Sequence, residues 1–275
     1  MEPEVDNSLL DARALSRIML WTLAMFLFSI FFGAVMVFLA GPKAGLLAET
    51  LFIIPALLFV YRRRMPFART FRFNPVSPQI LFYTLLLALP VMILGDELDR
   101  LIAIFFPLPS WFDVGDLMSI HSLSDGFLII GNGVIVAAIA EEMLFRGLIQ
   151  RSLERMHDIA TAIALSAIIF AMFHFNIWWM IQITLLGLVL GYIAWRSDSI
   201  WPAILIHGFN NLLSILAANA AEEKLTWYTS GEHVHWIWLA ASLLLLIPAF
   251  AGFQKACTAR RIPAATDRTI GDDHD

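Results

Sequence analysis

Charge is scarce in this chain. Lys, Arg, Asp and Glu make up 15% of its 275 residues, and apolar residues make up 59%. Soluble domains carry roughly a quarter charged residues, so a soluble globular fold is excluded and a membrane protein is expected. Cysteine is nearly absent. Cys257 stands alone, which excludes an intramolecular disulfide and the usual multi-cysteine zinc site. There is no HExxH zinc-protease motif, no nucleic-acid signature, no internal repeat and no separate soluble domain. The chain opens with Glu2, Glu4 and Asp6 ahead of a long apolar run. A cleaved signal peptide has a basic start and a short apolar core, so this run is expected to be an uncleaved span.

What the chain has instead is long apolar runs. A helix needs about 20 apolar residues to cross the bilayer core. Eight candidates follow in order, at 15–40, 46–61, 79–94, 126–147, 160–178, 179–195, 200–217 and 235–253. The expected fold is all-α, a polytopic bundle of about eight transmembrane helices forming a single domain over 1–275. Residues 1–12 and 258–275 are polar and are expected to be disordered tails. With the N-terminus inside, fifteen of the eighteen Lys and Arg residues fall on the inner side, and Lys43, Arg100 and Lys224 fall outside. The positive-inside rule therefore places both termini in the cytoplasm. Two acidic stretches, one with Asp96, Glu97 and Asp99 and one with Glu222, Glu223 and Glu232, are then expected in outer loops.

The most costly feature lies at the end of the fourth run. Glu141, Glu142 and Arg146 follow an apolar stretch, where an ionisable group costs about 2.5 kcal/mol or more. Glu142 and Arg146 are four apart and share a helix face, so the arginine is expected to neutralise Glu142. Glu141 points about 100° away and must find a partner on another helix. A desolvated carboxylate without a local cation suits a general base. The blander reading, an interfacial anchor, fits Arg146 but not two consecutive acids.

Two later runs offer partners. Phe170 and His174 share a face of the fifth run, and His207 and Asn211 share a face of the seventh. His207 and Asn211 can both donate hydrogen bonds, which suits stabilisation of an oxyanion. Interhelical hydrogen bonding competes with that reading for the pair, and a structural role competes for His174. Phe170 is expected to pack, and Asn176 to cap a helix or lie at the interface. Gly187 and Gly191 form a GxxxG pair that permits close helix approach. Intramembrane polar groups face the bundle interior and find one another, so the three helices are expected to bring their polar residues together.

The order EExxxR, FxxxH, HxxxN on three late helices resembles the CPBP family. That family comprises CAAX-type prenyl-protein endopeptidases and bacterial relatives linked to bacteriocin processing and immunity. The matching residues are Glu141, Glu142 and Arg146, then Phe170 and His174, then His207 and Asn211, and the motif-bearing core covers 126–217. The resemblance implies an intramembrane endopeptidase: Glu141 and His174 would activate a water, His207 and Asn211 would bind the oxyanion, and Glu142, Arg146 and Phe170 would support them. It also implies a multi-pass protein of a bacterial inner membrane acting on a peptide or protein, with a lipidated C-terminus as one substrate class. The family is often labelled a metalloprotease, and Glu141, His174 and His207 would be the ligands if a metal binds. A metal-free, glutamate-dependent hydrolase is favoured, because Asn is a poor zinc ligand and the second carboxylate is paired with arginine.

Two other function classes stay open on sequence alone. One is a proton-coupled transporter, since acid–histidine chains also move protons. The other is a non-catalytic immunity or scaffold protein that keeps the motifs as polar glue. The protease reading also sets a geometric condition. His174 lies about 24 Å along its helix from Asp158, so it reaches Glu141 only if the fourth and fifth helices project from the membrane as a hairpin.

Overall fold

The computed structural model describes residues 10–109, 118–221 and 225–261. It is all-α and 80% helical, with a two-stranded hairpin as the sheet present among the described residues. Among the described residues, seven helices are long and apolar enough to cross a membrane. Helix α1 spans Ala12–Ala40 and is capped by Asp11, whose Oδ1 accepts from Ala14 N at 2.7 Å. A 3₁₀ segment, Pro42–Ile53, leads into α2, Ile54–Arg62, and the two together form the second span. After the short α3, Phe67–Thr70, comes α4, Pro78–Phe105. Helix α5 runs Leu123–Met156, and α6 runs Ile159–Met172. Helix α7 is Met180–Ser197, and α8 is Trp201–Ala218. Strands β1, Thr229–Ser230, and β2, His233–Val234, precede α9, Trp236–Arg261.

The polytopic all-α expectation is met, and several boundaries differ from it, among them that of the fourth span, which continues to Met156. The fifth expected span is too short to cross, because α6 stops at Met172. Phe175 turns the chain with φ 48°, and Asn176 Oδ1 accepts from Trp178 N and Trp179 N at 3.0 and 3.2 Å. Asn176 thus closes the turn that leads into the next helix. The third span continues to Phe105, which puts Asp96, Glu97 and Asp99 on the end of α4 instead of in a loop. Helix α9 continues through Arg261, so residues 258–261 are helical, while 1–9 and 262–275 lie outside the described residues.

Two buried apolar clusters organise the bundle. One joins α1, α2, α5 and α6 through Leu15, Ile18, Ala56, Leu144, Phe145 and Phe170. The other joins α4, α7, α8 and α9 through Ile80, Leu87, Leu190, Ile206 and Phe253. Large apolar side chains on the outer faces, such as Phe31, Phe38, Leu244 and Ile247, stay exposed, as lipid-facing residues do in a bilayer. Helix α5 lies where the clusters meet and carries the acids.

Candidate active site

Two stretches of α5 are wound as π-helix, Ile130–Val136 and Met143–Ile149, on either side of Glu141 and Glu142. Local π-winding leaves carbonyls without their usual partners and recurs at functional sites. Here both stretches hand a carbonyl to a neighbouring helix. Asn211 Nδ2 donates to Gly133 O at 2.8 Å, and Ser166 Oγ donates to Phe145 O at 3.2 Å.

The hairpin of α5 and α6 supplies the level at which the acid and the histidine meet. Glu141 stands fifteen residues before the α5 end at Met156, and His174 fifteen after the α6 start at Ile159. Each lies about 22 Å from the turn at 1.5 Å per residue, so the antiparallel pair brings them side by side. Glu141 Oε2 lies 3.9 Å from His174 Nε2 and 3.8 Å from His207 Nε2. That oxygen is buried and has no hydrogen-bond partner among the described residues. Atoms about 3.9 Å apart can be bridged by one water at about 2.8 Å from each.

The histidine tautomers follow from their other contacts. His174 Nδ1 lies 2.9 Å from Phe170 O. A carbonyl only accepts, so Nδ1 carries the hydrogen and a neutral ring presents a lone pair on Nε2 toward Glu141. His207 Nδ1 lies 2.8 Å from Glu142 Oε1. The same oxygen receives Arg146 Nη1 at 2.7 Å. Arg146 stays protonated, so the carboxylate it pairs with is an acceptor and His207 Nδ1 is a donor.

Glu142 and Arg146 are fully buried. The arginine also donates from Nη2 to Gly187 O at 3.3 Å, and its guanidinium lies 4.2 Å from the centre of the Phe170 ring. A desolvated cation–π contact of this kind contributes about 2 kcal/mol. Phe170 packs its ring edge-on against His174 and His207, with centroids 4.8 and 5.7 Å away. It is therefore the packing centre of the site, not a bystander one turn from His174.

The structure thus brings Glu141, His174 and His207 together and joins Glu142, Arg146 and Phe170 behind them. Asn211 lies one turn beyond His207, with one amide hydrogen on Gly133 O and its Oδ1 accepting from Asn210 Nδ2 at 3.3 Å. Four neighbours, Gln150, Glu154, Arg72 and Asp198, were missed in the sequence. Gln150 Nε2 donates to Gly191 O at 3.0 Å and to Glu154 Oε1 at 2.9 Å. Arg72 donates to Glu154 Oε1 at 2.9 Å and to Asp198 Oδ1 at 3.0 Å. The legible signal was spacing: Glu142, Arg146, Gln150 and Glu154 recur every four residues on one face of α5. The GxxxG pair of α7 faces this stripe, and its two carbonyls receive Arg146 and Gln150.

No group of three or more His, Cys, Asp or Glu is placed to hold a metal ion among the described residues. The Nε2–Oε2 separations of 3.8 and 3.9 Å are wider than the roughly 3.3 Å that tetrahedral zinc with bonds near 2.0–2.1 Å requires. The donors as placed do not fit a closed metal centre.

The fold and this cluster define a class: a polytopic helical membrane protein with a buried carboxylate–histidine site. Residues 123–213 match a family model described as Rce1-like, type II CAAX prenyl endopeptidase. The match covers the three motifs and bears out the resemblance, placing this segment at family level with CAAX-type intramembrane proteases, which are membrane peptidases. No curated protein and no solved structure matches the chain.

Proposed function

We propose that this protein is an intramembrane endopeptidase in which Glu141 and His174 activate the hydrolytic water. The observation that carries this reading is the convergence of Glu141 Oε2 with the two histidine Nε2 atoms at 3.8 and 3.9 Å. In the proposed reaction, a water between Glu141 and His174 attacks the peptide carbonyl carbon. A C–O bond forms, and the proton leaves the water for Glu141. The oxyanion takes hydrogen bonds from the second amide hydrogen of Asn211 and from His207 Nε2 in the imidazolium form. The C–N bond then breaks, and Glu141 returns the proton to the departing amine.

Glu142 and Arg146 act through His207. They fix its ring and offset its positive charge, and they touch no substrate. The substrate is a peptide or protein held against the bilayer, and a lipidated C-terminal segment is one class that the family match supports. Helix α5, with 34 residues, is about 51 Å long, against a hydrocarbon core of about 30 Å. Its end is nevertheless level with the α7 end and the α8 start, where Arg72 bonds Glu154 and Asp198 and its carbonyl accepts from Ile200 N, so the hairpin expected to project does not extend beyond the bundle. The membrane is proposed to be a bacterial inner membrane with this end on the cytoplasmic side.

The test is cleavage of lipidated and unlipidated peptides by purified protein beside Glu141→Ala, His174→Ala and His207→Ala. Turnover by the natural chain alone supports the reading, and equal turnover in all four samples overturns it.

A further inference from the structure

The cations at the two ends of the bundle differ in their surroundings. At the end holding β1 and β2, Lys43 pairs with Asp125 at 2.5 Å and Arg100 with Asp96 at 3.2 Å. At the opposite end, Arg62, Arg63 and Arg64 follow α2, and no acidic residue stands between Glu49 and Asp96 in the sequence. All three are exposed, as is Arg155 near the α5 end. The acids near them are already engaged. Glu154 and Asp198 hold Arg72, and Asp198 also accepts from Asn74 Nδ2 at 3.0 Å. Asp158 caps α6 through Thr161 N at 3.1 Å. Among the described residues, none of Arg62, Arg64 and Arg155 has a carboxylate partner, and Arg63 lies over the Phe59 ring at 5.4 Å. Two exposed rings, Tyr61 and Phe67, flank the turn. Arginine beside exposed aromatics at a span end matches a layer of phosphodiester headgroups, with the guanidinium fork on phosphate and the rings in the interface.

This turn is also joined to the acid-bearing helix. Two residues past α3, Arg72 is buried and bonded to Glu154 of α5, and its carbonyl accepts from Ile200 N at 3.0 Å. Between them, the Phe71 carbonyl lies so close to Gly147 that a Cβ there would stand 2.6 Å from it. The segment that follows the turn thus abuts α5 through backbone contact, six residues from Glu141.

We infer that the Arg62–Arg64 turn, with Arg155, is a binding surface for anionic phospholipid headgroups. The binding surface stands independently of the peptidase reading; an effect of lipid on turnover would rest on it.

The experiment uses the full chain reconstituted in phosphatidylcholine bilayers with spin-labelled phosphatidylglycerol or spin-labelled phosphatidylcholine, comparing their motionally restricted fractions. A preference of about threefold or more for phosphatidylglycerol is expected, falling toward one at about 1 M sodium chloride, where the Debye length is about 3 Å. The triple variant Arg62→Gln, Arg63→Gln, Arg64→Gln should lose the preference, and the corresponding Lys variant should keep it. Inorganic phosphate should compete no better than sodium chloride of equal ionic strength. Absence of a preference in the natural chain, or its persistence in the Gln variant, overturns the inference. So does its loss in the Lys variant, which would trace the effect to packing, or selective competition by inorganic phosphate, which would make the site one for a free anion.

Discussion

Glu142 Oε1 lies 2.8 Å from His207 Nδ1, and the same oxygen receives Arg146. The second acid of the pair therefore serves two helices at once. It ties α8 to α5 and fixes which nitrogen of His207 faces Glu141. Removing one member of a buried, hydrogen-bonded ion pair leaves an uncompensated charge, at a cost of about 3–5 kcal/mol. Glu142→Gln and Arg146→Met should each lower thermal stability in detergent by that order. The double variant should lose less than the two losses added together, and a double-mutant cycle measures the difference.

Gly147 should tolerate no side chain. A methyl group there would stand 2.6 Å from Phe71 O, which is backbone and cannot rotate away. Overpacking against backbone costs about 1–3 kcal/mol or more. Gly147→Ala should lower the unfolding midpoint by several degrees, whereas Gly95→Ala, with nothing near the added Cβ, should not show a packing clash.

His174 and Phe170 should separate chemistry from packing. The His174 side chain is 32% exposed, so His174→Ala should remove turnover while leaving the unfolding midpoint nearly unchanged. Phe170 is 1% exposed and packs against both histidines, so Phe170→Ala should cost about 3–5 kcal/mol and also reduce activity. Paired melting curves and peptide assays check this.

The hairpin end carries a pH dependence of its own. Hydrogen bonds from the Thr161 hydroxyl and backbone N–H hold the exposed Asp158 carboxyl below the usual carboxylate range. A lowered native value means that the folded cap binds its proton less readily than the unfolded chain. The cap's contribution is therefore complete above the ordinary carboxylate pKa, and it is lost as pH falls through the lowered value. Amide protection at the first turn of α6, taken relative to intrinsic exchange at the same pH, should fall at acid pH in the natural chain, and Asp158→Asn should flatten that response.

Metal removal gives a further test. Because the donors stand wider apart than a closed zinc site allows, peptide hydrolysis should survive dialysis against a chelator. Loss of activity that added zinc restores would contradict the metal-free reaction.

Hydropathy made the all-α membrane class and most spans legible, because apolar runs of membrane length have few other uses. Helical spacing made the Glu142–Arg146 pair legible, and the separation of Glu141 from it. The nearly equal spacing of Glu141 and His174 from the turn at His157 lies in the sequence too, but it emerges only once α5 is followed past Gly147 to Met156. The His207–Glu142 bond was not legible, because no spacing rule links residues 65 apart on different helices. Nor was the role of His233, which lies 2.8 Å from Glu97 and fastens the β1–β2 hairpin to α4. The end of α6 at Met172 depends on a left-handed turn at Phe175, a conformation that phenylalanine rarely adopts and its sequence does not announce.

The most direct test of the account is peptide hydrolysis by the reconstituted chain beside Glu141→Gln, a near-isosteric change that removes the base. The account predicts an unchanged unfolding midpoint and a loss of turnover of about 10²–10⁴-fold, the usual contribution of general base catalysis. Turnover by Glu141→Gln equal to that of the natural chain would contradict it.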